Sequence, residues 1–68
     1  MTLKDLVKNC GNIQEGKITK LRVWEHRGNY LGEWKNDQIN KIDVFIKADN
    51  KVSRFDIIGK RLEVIIIG

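Results

Sequence analysis

The chain has 68 residues, enough for one domain with a thin core and too few for a deep cleft between two lobes. Apolar residues make up 41% and charged residues 32%, an ordinary globular balance rather than that of a disordered chain. Thirteen Lys and Arg against nine Asp and Glu leave a net charge of +4, a mild excess that solubility alone explains as well as an acidic partner does.

Thr2 followed by Asp5 opens the chain with a relative of the capping box. Leu3, Leu6, Val7 and Cys10 then keep the spacing of one helical face, which predicts a helix over residues 2–10 with Gly11 as its left-handed C-terminal cap. Such a helix of about two turns is too short to stand alone, so it must pack on something. Asn12 to Gly16 is a connector.

From Lys17 to His26 the pattern changes to period two. Thr19, Leu21 and Val23 fall on one face of a strand, and Lys20, Arg22, Trp24 and His26 on the other. Gly28-Asn29 supplies a tight turn, and Tyr30 to Lys35 is the returning strand. A two-residue turn places Tyr30 and Trp34 with Val23 and Leu21, and sets Leu31 beside Trp24 and His26. Adding Arg27 to the loop swaps the faces of the returning strand and brings Tyr30 and Trp34 to Trp24.

Asn36 or Asp37 can cap a second helix whose Ile39, Ile42, Phe45 and Ile46 share a face. The competing reading is a strand over 42–47 that turns at Asp49-Asn50. Val52–Ile58 and Leu62–Ile67 are the last two strands, separated at Gly59-Lys60. Beyond Glu63 the final strand is apolar on both faces, which places it centrally, covered on both sides or meeting another protomer. The expected architecture is a small α+β domain in the order α-β-β-α-β-β, with a mostly antiparallel four-stranded sheet and helices packed on it.

Several chemistries find no support in these residues. A metal centre needs several soft or imidazole ligands, and the chain has one His and one Cys, with Cys10 on an apolar helix face. Ser53 is the only serine, and the only histidine, His26, sits beside a hairpin tip. A carboxylate pair drawn from Glu25, Glu33, Asp43 and Asp56 is formally open, but isolated surface carboxylates are ordinarily solvated. No glycine pattern makes a phosphate loop, so neither catalysis nor a cofactor is expected. The apolar run Val64–Ile67 is far too short to span a bilayer, and no leader pattern precedes the first helix, so a cytoplasmic protein without a membrane partner is expected.

The constellation that stands out is on the first hairpin. Lys20, Arg22, Trp24 and His26 alternate on one strand face, Arg27 sits at the turn, and Leu31 returns beside them. These six residues are the candidate partner-binding set, because an exposed ring among cations can anchor a protein or stack on bases. A protein is the expected partner. Alternatives are a nucleic acid, or a nucleotide held between protomers of a homo-oligomer built through the C-terminal strand.

Thr2-Leu3-Lys4-Asp5-Leu6, Gly32-Glu33-Trp34, Val52-Ser53-Arg54-Phe55-Asp56-Ile57 and Leu62-Glu63-Val64-Ile65 together give a layout that resembles small accessory proteins of phages and prophages of AT-rich bacteria. The stretch between Trp34 and Val52 is longer than in the compact form of that pattern. The resemblance implies a protein of the host cytoplasm that binds and blocks a host protein, including those of defence systems. It carries no catalytic residues over to this chain.

Overall fold

A computed structural model describes residues 1–45 and 49–67. Eight elements follow in chain order: α1 (Leu3–Asn9), α2 (Gly11–Gln14), β1 (Lys20–Glu25), β2 (Tyr30–Lys35), α3 (Asn36–Ile39), α4 (Ile42–Phe45), β3 (Lys51–Ile58) and β4 (Arg61–Ile67). The four strands form one mixed sheet in the order β2-β1-β4-β3. The two hairpins are antiparallel, and they join through a parallel pairing of β1 with β4 at the centre. This is the expected α+β domain, with the C-terminal strand inside the sheet.

The N-terminal helix starts as its sequence dictates. The Thr2 hydroxyl accepts from the Asp5 N–H at 3.1 Å, and the Asp5 carboxylate accepts from the Thr2 N–H. Those hydrogen bonds hold the Asp5 carboxyl below its ordinary range. Gly11 is not a left-handed cap, however. The Cys10 carbonyl accepts from Ile13 and Gln14, so the chain turns again and the connector becomes α2, which buries Ile13. Gly16, at φ +76°, makes the sharp exit instead.

The second helix is broken. The Lys35 N–H, rather than a group of Asn36 or Asp37, is tied to the Gln38 side chain, and α3 ends at Ile39 before α4 begins at Ile42. Ile39 and Ile42 are both buried, so the shared apolar face is real even though the helix is not continuous. A strand from Ile42 is ruled out over 42–45. Ile46, Lys47 and the Phe45 side chain lie outside the described residues.

The core forms between the helices and one face of the sheet. Leu3, Leu6, Val7, Ile13, Ile39 and Ile42 meet Leu21, Val23, Trp34, Leu62, Val64 and Ile66, and the partly buried Cys10 packs beside them. All helices lie on this side, because a sheet strand alternates its side chains and only one set is apolar throughout. Among the described residues, no helix lies on the other face of the sheet.

Candidate functional site: the open face of the sheet

The first hairpin decides which rings reach the open face. The Gly28 N–H donates to the Glu25 carbonyl and the Glu25 N–H to the Asn29 carbonyl, both at 2.8 Å, with Gly28 at φ +92°. This is a three-residue loop, His26-Arg27-Gly28, rather than the two-residue Gly28-Asn29 turn. It sets Tyr30 opposite Trp24. A bulge at Leu31 then slips the register by one residue, so that Gly32 faces Val23 and Trp34 faces Leu21 in the core. Neither register open to the sequence is adopted, but each of its two face assignments holds over half of the hairpin: Tyr30 joins Trp24, and Trp34 stays with Leu21.

Cross-strand neighbours share a face, so the register orders the open side into three rows. The first is basic: Lys35, Lys20 and Arg61, ending at Ile58. In the middle row Glu33 and Glu63 flank Arg22, and Asp56 lies beyond Glu63. The last row runs Tyr30, Trp24, Ile65 and Arg54. Successive rows are about 7 Å apart, two residues of strand rise.

Trp24 and Tyr30 pack with ring centroids 4.8 Å apart and planes tilted by 53°. Such a pair is worth about 1 kcal/mol beyond the area it buries. Tyr30 is 50% exposed. Beside the pair lies a hollow of about 740 Å³ lined by Trp24, His26, Arg54, Asp56, Ile58 and Ile65 among others.

The cations of the first two rows are largely neutralised by their neighbours. Lys20 Nζ stands 4.0 Å and Arg22 Nε 3.6 Å from the Glu33 carboxylate, and Arg61 donates to Glu63 at 3.1 Å. The Nε atoms of Arg22 and Arg61 are buried without a hydrogen bond, so both side chains are covered as far as the start of the guanidinium.

Of the six residues singled out by sequence, Lys20, Arg22 and Trp24 share the open face as expected. His26 and Arg27 form the exposed loop at its end, and His26 reaches the hollow. Leu31 does not stand beside Trp24. It is the extra residue of the bulge, with no partner on β1, and Tyr30 takes the place expected of it. Arg54, Asp56, Ile58 and Ile65 were not among the six. Their signal is the alternation of 52–58 together with the second apolar face of the last strand, and reading it requires knowing that β3 and β4 lie beside β1.

Glu33 and Asp56 share the middle row but stand three strand spacings apart, about 14 Å, too far to act as a pair. Among the described residues no three His, Cys, Asp or Glu side chains converge on a metal-sized site, and no helix is long and apolar enough to cross a membrane. The chain matches no family model, no curated protein and no solved structure.

Proposed function

We propose that this is a non-catalytic binding module that engages a partner protein through the open face of its sheet. The order of the three rows supports this reading most directly. A nucleic-acid strand that placed its bases on Trp24 and Tyr30 and its phosphates on Lys20, Lys35 and Arg61 would cross the carboxylates of Glu33 and Glu63 on the way. Repulsion there removes the counterion-release gain that drives such binding. A protein surface meets the same face without penalty: apolar groups cover Trp24, Tyr30 and Ile65 and enter the hollow, while the mixed row beyond forms the polar rim.

Trp24 is the anchor in this reading. It is partly exposed, packed against Tyr30, and borders the concave part of the face. Blocking a host protein in the cytoplasm, as the phage-type resemblance implies, requires only such a surface. Capture from lysate of the native cell tests the proposal. Wild type retains a partner and Trp24→Ala, folded by circular dichroism, does not. Equal capture by both proteins, or a nuclease-sensitive catch, contradicts it.

A further inference from the structure

The strand β3 is unfinished on its outer side. It is an edge strand of eight residues, all exposed except the half-buried Val52. Phe55 faces the buried Val64 and Ile57 the buried Leu62, so both point to the helix side, yet they remain 47% and 42% exposed. Among the described residues the helical layer does not extend over them. The N-terminal segment covers only the start of the strand, where Thr2 bridges Lys51 and the Met1 carbonyl accepts from the Val52 N–H at 2.9 Å.

The free edge also has a defined polarity. The two-residue turn Gly59-Lys60, with φ +61° at Gly59, makes Ile58 and Arg61 the closing hydrogen-bonded pair. By alternation the backbone groups of Phe55 and Ile57 point away from β4. The Ile57 N–H accordingly finds the Asp56 carboxylate, at 2.9 Å. On the other side Asp56 stands directly opposite Glu63, a like-charge pair that costs stability.

We propose that two copies of this chain pair antiparallel through β3, about a two-fold axis at Phe55, to give one eight-stranded sheet. The charge order of the strand selects this register. Arg54 and Asp56 flank Phe55, so with the axis at Phe55 each Arg54 stands opposite the partner's Asp56 and relieves its conflict with Glu63. Phe55 then meets the partner's Phe55 through backbone groups that point outward, and Ile57 lies across from the partner's Ser53, the extra residue of a bulge between Val52 and Arg54, where the ladder ends. With the axis at Asp56, two carboxylates oppose each other. With the axis at Ile57, Phe55 loses its apolar partner to Gly59. A slip of one residue mismatches the faces. The occupant is a second copy because the strand is complementary to itself.

Sedimentation velocity over a range of concentrations tests the pairing, with circular dichroism as the check on folding. Wild type reaches twice the mass of the chain. Arg54→Asp and Asp56→Arg each weaken self-association about tenfold, since two favourable contacts become repulsive. Mixed together, the two variants form a heterodimer, because every facing pair is again opposite in charge. In a Cys10→Ser background Phe55→Cys links into a dimer on mild oxidation and Ile57→Cys does not, its two copies lying about 13 Å apart. A monomer at all concentrations, a dimer indifferent to charge reversal, or preferential linking at Ile57→Cys overturns the proposal.

Discussion

The indole of Trp34 lies across the α-carbon of Gly32, so closely that a methyl group on Gly32 would stand 2.9 Å from Cη2. Gly32 is also held at φ +154°. The bulge that brings Tyr30 to Trp24 and still buries Trp34 depends on this residue having no side chain. Gly32→Ala is expected to cost about 1–3 kcal/mol through backbone strain and displacement of the ring. In a chain of this size each kcal/mol lowers the melting temperature by about 4–8 °C, so a thermal melt reads the effect directly. An unchanged melting temperature contradicts the account of the bulge.

The two tryptophans have different work to do. Trp34 is buried in the core, and Trp34→Ala should cost about 3–5 kcal/mol. Trp24 lies on the open face, and Trp24→Ala should cost about 1 kcal/mol, mostly the loss of its contact with Tyr30. Acrylamide quenching separates them independently. The fluorescence of Trp34→Phe, which comes from Trp24, is quenched more steeply than that of Trp24→Phe.

The middle row should govern selectivity. Five cations and three carboxylates occupy the open face, an excess of two positive charges. Replacing Glu33 and Glu63 together by Gln raises that excess to four and frees Lys20, Arg22 and Arg61. The double variant should gain salt-sensitive affinity for single-stranded oligonucleotides that wild type lacks. Fluorescence anisotropy at low salt decides the matter, and tight binding by wild type would remove the argument for a protein partner.

The N-terminal cap brings a pH dependence of known sign. The Asp5 carboxyl is held below its ordinary value by hydrogen bonds from the Thr2 backbone and side chain. It therefore stabilises the fold when ionised, fully above the unfolded carboxylate value of about 3.9, and that contribution is lost as pH falls through the lower folded value. Thr2→Ala should cost about 1 kcal/mol at neutral pH. The gap to wild type should narrow on acidification, as urea midpoints at the two pH values would show. A constant gap means that the cap and the carboxylate are not coupled.

Local signals made much of the fold legible. The capping pair Thr2 and Asp5, the period-two run through Leu21 and Val23, and the continuous apolar strand after Glu63 each specify their element without help from the rest of the chain. What failed depended on competition between near-equal alternatives. Gly11 could end a helix or start another turn, and burial of Ile13 tipped the balance. The hairpin could loop over two residues or three, and a later bulge corrected the cost of the longer loop. Least legible was the sheet order. Placing β4 rather than β2 beside both β1 and β3 puts Ile65, Arg54, Asp56 and Ile58 next to Trp24, and no local pattern encodes that neighbourhood.

A photoreactive phenylalanine analogue at Tyr30, installed in the protein within its native cell, tests the open face most directly. The same probe at Lys8, exposed on α1, is the control. A discrete protein adduct is expected from position 30, lost with Trp24→Ala and resistant to nuclease, and none from position 8. Equal labelling from both positions, or an adduct that nuclease removes, contradicts it.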